Sequence, residues 1–316
     1  MRHRHNDKET LQDFLFSRGY QLNDDPFLAD IYVARDHEEL DLEILNKRRN
    51  ANKYNLLLRS EPACVLPEAY EPDTCSLYNR VISFGKKPGI DAYSWPQYWE
   101  DSLVLRPSAE RSTEKASLIN ANKLSLFPSE MYSLRRQVVS ELKPLDLLGE
   151  GWNNSRLSRF KTLIIEIRKQ PMIASLNKLH HARLWFRDWP KTEAPDSKFI
   201  ALQKYRVNLV IENDLTYMSE KLFDAFSAGC IPVYVGPKIE NYGIPVELVF
   251  QAEPSVSSIR KSVEQALEIN HSEFMIEIAS WLALESTKKQ YDGNKIMENV
   301  FADVIDGFRK TELIVE

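Results

Sequence analysis

Asn208 to Gly236, NLVIENDLTYMSEKLFDAFSAGCIPVYVG, packs apolar run, polar loop, amphipathic segment and second apolar run into one short stretch. Val207 to Ile211 reads as a strand covered on both faces, and Ile231 to Val235 as its parallel partner. Between them Leu222, Phe223 and Phe226 give a helix its apolar face, Ser219 is the expected cap and Gly229 ends it. In a right-handed βαβ unit the loop after the first strand and the helix start lie at the carboxyl edge of the sheet, where open α/β sheets bind ligands. Glu212, Asn213, Asp214, Tyr217, Glu220 and Lys221 all fall on that edge. Free backbone N–H groups, the helix dipole and Lys221 favour a phosphate there, while Glu220 would repel a diphosphate and suits the hydroxyls of an attached sugar. Read from the residues alone, an ordinary solvated helix start accounts for Glu220 and Lys221 equally well.

Outward from this unit the text keeps an α/β rhythm. Toward the N-terminus it predicts a helix over 7–18, a strand over 30–34, a helix over 38–49, and strands over 54–59, 80–84 and 102–106. The polar run 107–122 reads as a connector, which divides the chain into an N-terminal α/β domain, 1–115, and a C-terminal one, 116–316. The second domain is expected to hold strands at 123–127 and 145–148, helices at 132–142 and 173–182, the quoted unit, and amphipathic helices near 256–268, 272–285 and 290–310. Two α/β domains with parallel sheets facing a cleft is the simplest architecture.

With 316 residues, 43% hydrophobic and 28% charged, the chain can bury two cores, and its net charge of -5 argues against a nucleic-acid partner. No apolar run reaches the length of a membrane span and the first residues lack the apolar segment of a secretory signal, so a cytoplasmic location is expected, with peripheral membrane association left open. Three cysteines without a CxxC pair argue against a disulfide framework and a cysteine-based zinc site. Neither GxGxxG nor GxxxxGK[ST] occurs, which disfavours a dinucleotide oxidoreductase and a P-loop ATPase; Gly149-Glu150-Gly151 is too short to count as either. His180 and His181 point different ways on a helix and lack a third ligand, so they read as surface or packing residues. Trp185, Phe186 and Trp189 suit a lid or sugar platform, though packing onto the domain is the commoner use of such aromatics.

The run Glu212-Asn213-Asp214, then Tyr217-Met218-Ser219-Glu220-Lys221, then Ala228-Gly229 and Ile231-Pro232-Val233-Tyr234-Val235-Gly236 resembles the hallmark of glycosyltransferase family 10, the α1,3/α1,4-fucosyltransferases. Leu56 to Pro62 (LLLRSEP) is similar to the family's acceptor-side segment, and Ser133-Leu134-Arg135 with Asp146-Leu147-Leu148-Gly149 to its helix start and following turn. The resemblance implies a GT-B fold of two Rossmann-like domains, and inverting, metal-independent transfer of L-fucose from GDP-fucose to a glycan hydroxyl, with no cofactor. It assigns Glu61 as general base and Glu220 as the carboxylate that contacts fucose. Arg135 and Lys221 become the diphosphate cations, with Arg136 one register slip away, while Asn213 and Tyr217 line the donor site. A bacterial surface glycan is the expected acceptor.

The sequence departs from the hallmark at Asp214 for Ser, Ser219 for Thr and Val235 for Trp, and 185–200 looks long for the family linker. Asp214 would bring a negative charge near sugar or phosphate. Exostosin-like GT-B enzymes, which use UDP-sugars, share a related Gly-Cys-[Val/Ile]-Pro-Val turn but lack the Tyr-x-[Ser/Thr]-Glu-Lys run. A nucleotide-sugar- or glycan-binding protein without catalysis is the third reading, motivated by Asp214 and Val235.

Overall fold

The structure is a computed structural model that describes residues 13, 15–48, 53–84, 91–93, 105, 111–169, 183–192, 194–291 and 293–315. The predicted helix 173–182 and His180-His181 lie outside the described residues, as does most of the predicted strand 102–106. By internal contacts the chain forms two units, one of residues 1–102 with 285–316 and one of 103–284.

The first unit is built on a parallel sheet in the order β1-β2-β3-β4, with β1 Ile31–Arg35, β2 Tyr54–Arg59, β3 Arg80–Phe84 and β4 Asp91–Tyr93. Strand β2 is buried along its whole length, and its alternation sorts the two faces. Leu57 joins Ala34 and Tyr78 against Leu45 of helix α1, Glu39–Arg48. Leu56, Leu58 and Ile82 point the other way, onto Ile296, Val300, Phe301, Val304 and Ile305. These last five lie on one stripe of the long C-terminal helix, which therefore belongs to the first unit although the sequence reading placed all residues after 116 in the second. The reason is that the sheet's second face needs an apolar cover and this helix carries one.

The second unit carries a parallel sheet in the order β6-β5-β7-β8-β9, with β5 Ser112–Ile119, β6 Leu145–Leu148, β7 Tyr205–Ile211, β8 Ile231–Val235 and β9 Phe250–Gln251. The expected pairing of 207–211 with 231–235 is present, Val207 opposite Ile231 through Ile211 opposite Val235. Strand β5 overturns the predicted connector. Its first turn of text is polar, with Glu114 and Lys115 exposed, but Ala116, Ser117 and Leu118 are buried, and the Ser117 hydroxyl lies 2.9 Å from Asn208 Oδ1 on β7. The predicted strand 123–127 is instead a loop beyond the end of β5, apolar because Leu124 and Leu126 are buried beneath it.

Helices α2 Pro72–Cys75 and α3 Tyr132–Glu141 precede α4 Arg156–Lys169, α5 Lys198–Leu202 and α6 Lys221–Ser227; α7 Val256–Glu268, α8 His271–Ala283, α9 Glu285–Tyr291 and α10 Gly293–Val315 complete the order. Gly229 closes α6 at φ 73, a conformation that costs a side chain but not glycine. Trp185 and Trp189 are buried, and Trp152 meets Trp189 edge-on at 5.2 Å. Arg159 of α4 donates to the carbonyls of Trp152 and Trp185, and the Trp185 indole N–H donates in return to the Arg159 carbonyl at 3.0 Å. The aromatic segment packs onto the unit rather than standing over it. Among the described residues no helix is long and apolar enough to cross a membrane.

Candidate functional site

In the second unit the strand order reverses beside β5: the chain steps from β5 to β6 on one side and returns to β7 on the other. A crevice outside the carboxyl ends of strands at such a reversal is the usual ligand position in open α/β sheets. A cavity of about 330 Å³ lies there, walled by the ends of β5 and β6, by Asn208 and Asn213 of β7 and its loop, and by Arg135, Lys198, Lys221 and Asp224.

The floor is set by two glycines. Gly149 and Gly151 have φ 126 and 80, and a Cβ on Gly149 would stand 2.3 Å from the Asn120 carbonyl oxygen. With side chains excluded, the loops after β5 and β6 run together: Asn120 N–H donates to Leu148 O at 3.1 Å and Asn122 N–H to Glu150 O at 2.9 Å. The Trp152 indole N–H also donates to Asn120 O at 2.8 Å. A second, wider hollow of about 590 Å³ continues from this floor past Asn122, Asn153, Asn154 and Thr192.

Arg135 projects from the first turn of α3, 2% exposed, and donates to Ile211 O at 2.6 Å and Asn213 Oδ1 at 2.9 Å. It thereby ties the end of β7 to α3 while forming cavity wall. Arg136 points away, to Lys123 O at 2.6 Å, Asn122 Oδ1 and the face of Trp185, and burial lowers its pKa to about 10. Arg135 thus faces the cavity and Arg136 the interior.

Lys221 is held by a short relay. The Glu212 carboxylate, fully buried, accepts from Ser219 N–H at 2.9 Å and from Ser219 Oγ at 2.6 Å. Lys221 Nζ donates to the same Ser219 hydroxyl at 2.8 Å and reaches Glu212 Oε2 at 3.5 Å. The Ser219 hydroxyl, the predicted helix cap, accepts from Lys221 N–H at 3.4 Å and also links Glu212 to Lys221 Nζ, while Glu220 takes the cap position without a side-chain capping bond of its own.

Glu220 is a third exposed and lies 3.1 Å from Lys198, which also reaches Asp224 at 3.4 Å. Burial pushes the Glu220 carboxyl up, but Lys221 and Lys198 outweigh it and leave it below the ordinary range. Burial wins at Asp224, whose pKa rises to about 6 with Glu220 adding to the rise and Lys198 opposing it. Burial lowers Lys198, yet the two carboxylates carry it above the usual lysine value.

Of the residues assigned by resemblance, the cavity wall brings together Arg135, Asn213 and Lys221; Tyr217 is buried in the loop, and neither it nor Glu220 is part of the wall. Asp214 does not add a charge to the cavity: its carboxylate accepts from Thr216 N–H at 2.8 Å, from the Thr216 hydroxyl and from Ser129, fastening the loop to 129–130. Glu61 belongs to the first unit, just past the end of β2. Its N–H donates to Asp36 Oδ1 at 3.1 Å and its carbonyl accepts from the Tyr70 hydroxyl. Asp36 holds φ 55, a position a non-glycine residue seldom takes, and grips Ser60 as well. Sequence reasoning missed Asn120, Lys198, Asp224 and the anchoring role of Glu212, although Glu212 and Asp224 lay within the hallmark stretch and Lys198 in the 185–200 segment it had singled out.

No protein-family model matches the sequence, and no curated protein matches it either. Among solved structures, HepE of Anabaena in complex with UDP and glucose superposes at TM-score 0.52 with 9% identity, over 94% of this chain and 81% of its own. The α,α-trehalose 6-phosphate synthase of Burkholderia multivorans superposes at TM-score 0.50 with 12% identity, over 98% and 83%. An α1,3-fucosyltransferase also matches, at TM-score 0.49 and 13% identity over 86% and 76%, and adds nothing to the fold assignment. At these identities the likeness speaks for the fold alone. The chain has an α/β fold with parallel sheets of the GT-B kind.

Proposed function

We propose that the cavity holds the diphosphate of a nucleotide sugar, that the chain is a glycosyltransferase, and that its donor is GDP-fucose. The observation that carries the reading is the convergence of Arg135 and Lys221 on one cavity at the strand reversal, beside the start of α6. Fucose is the part that rests on the hallmark resemblance.

In this reading the acceptor is a glycan hydroxyl. Its oxygen attacks the anomeric carbon, the bond from that carbon to the diphosphate oxygen breaks with the electron pair leaving on GDP, and Glu61 takes the acceptor's proton. The product is an α1,3 or α1,4 linkage formed with inversion. Cationic side chains offset the charge that develops on the departing GDP, so the step requires no metal. Tyr217 supports the loop that carries Asn213, and Glu220 acts on the sugar.

Calorimetric titration with GDP-fucose, GDP-mannose, GDP, UDP-glucose and UDP-N-acetylglucosamine, all in EDTA, tests it. Guanine-selective binding with a gain from fucose is the expected result. UDP-sugar selectivity would replace the donor with that of an exostosin-like enzyme, and tight GDP-fucose binding without transfer or slow hydrolysis would favour a binding protein.

A further inference from the structure

Asp224 is part of the cavity wall, yet no role falls to it in the donor-site reading. It is 9% exposed, on the first turn of α6 between the buried Phe223 and Ala225. Oδ2 is 3.4 Å from Lys198 Nζ, while Oδ1 has no hydrogen-bond partner among the described residues. That oxygen is not sealed from solvent, so at the cavity wall it is open to a donor from a ligand. Asn120, in the same wall and 5% exposed, has an Oδ1 that is buried and without a partner.

Two under-used acceptors call for a ligand that brings donors. A diphosphate offers only acceptors and would be repelled by Asp224; it belongs with Arg135 and Lys221. A sugar hydroxyl donates and accepts at once, so it suits both the carboxylate and the carboxamide. Glu220, to which the resemblance gives the sugar, stands outside the wall and is engaged by Lys198 at 3.1 Å.

We infer that Asp224 contacts the ligand directly, accepting a hydrogen bond from a hydroxyl of the ribose or hexose of a nucleotide sugar, and that Lys198 is a positioning residue which fixes that carboxylate through its bridge to Glu220. The inference rests on the donor-site reading of the cavity. Lys198 comes from the 185–200 segment, which looks long for the linker of the family that the sequence resembles.

The test is titration of parent, Asp224→Asn and Lys198→Met with GDP and GDP-fucose. Asp224→Asn should bind about 10- to 100-fold more weakly, the size of a lost charge-assisted bond. Equal losses on the two ligands assign a ribose hydroxyl, and a loss confined to GDP-fucose assigns a hexose hydroxyl. Across pH, the charged groups facing Asp224 are Lys198 on α5 and Glu220 and Lys221 at the start of α6. GDP-fucose carries no phosphate proton that titrates near neutrality, so parent affinity should fall as pH drops through the Asp224 ionisation, and the Asp224→Asn curve should lack that step. Lys198→Met should weaken binding less and move the step upward, because a cation no longer stabilises the carboxylate. Unchanged affinity for both ligands in Asp224→Asn, or an unchanged pH step, overturns the inference. Should that variant fail to fold by circular dichroism, unchanged affinity and step position in Lys198→Met overturn it instead. A parent that binds neither ligand sinks the donor-site reading and this inference together, whereas a binding parent with indifferent variants sinks this inference alone.

Discussion

The ammonium of Lys221 is placed by a serine hydroxyl that is itself placed by a buried glutamate, which leaves the lysine side chain 21% exposed at the cavity wall. Lys221→Ala removes the cation and keeps the Glu212–Ser219 pair. GDP and GDP-fucose should both bind about 1.5–3 kcal/mol more weakly by calorimetry, and equal affinities would take Lys221 out of the phosphate site. Asp224 gives a prediction of a different kind. Its pKa of about 6 lies above that of an unfolded aspartate, so its proton stabilises the fold at low pH and that stabilisation is lost as pH rises through about 6. Asp224→Asn imitates the protonated form at every pH. In urea unfolding its stability should match the parent's near pH 3 and exceed it above pH 6, by up to about 2–3 kcal/mol; a gap that does not grow between those two pH values would count against it. The motif made Arg135, Asn213 and Lys221 legible in the sequence because their spacing is tied to helix starts. Asn120 and Lys198 were not, because neither lies in the hallmark run, and Asp224 was passed over inside it, where the sequence shows only its place on a helix between Phe223 and Ala225.

Elements were legible where apolar text was continuous. Strands 54–59, 80–84, 145–148 and 231–235 and helix 256–268 stand where periodicity put them. The central strand β5 was hidden by its composition: Ser112-Thr113-Glu114-Lys115 looks like a loop, and Ala116 and Ser117 are small because they sit in the middle of the sheet against β7. Glycine pairs after strands carried a signal that motif matching could not value. Gly149 is required by its φ of 126 and by the approach of Asn120 O, so Gly149→Ala should destabilise by roughly 1–3 kcal/mol from the backbone alone, with the clash adding to it. Since the same contact forms the cavity floor, donor affinity should fall with stability. Chemical denaturation and a parallel titration check the pair, and an unaltered midpoint would mean that the floor can relax.

Across the whole molecule, the two α/β sheets were readable from rhythm, but the return of the last helices to the first unit was not, since an amphipathic stripe does not name the sheet it will cover. Ile305, 2% exposed on that stripe, meets the core formed by Leu56, Leu58 and Ile82. Ile305→Ala should cost about 2–5 kcal/mol in urea unfolding, and a loss below 1 would place the helix outside the core. The proposed division of labour between units yields a kinetic prediction. Glu61→Gln should leave GDP-fucose affinity near the parent's while turnover drops by about two to four decades in a transfer assay, and unchanged turnover would remove Glu61 as the base.

The split first unit also bears on how the chain is made. The sheet of residues 31–93 emerges from the ribosome long before the helix 293–315 that covers one of its faces, whereas residues 103–284 are contiguous and can close their own core. During synthesis Leu56, Leu58 and Ile82 stay without their cover until the end. A nascent chain arrested after Leu284 should therefore expose a sticky sheet beside a protease-resistant second unit, and only release of the final helices should bring the first unit to the same resistance.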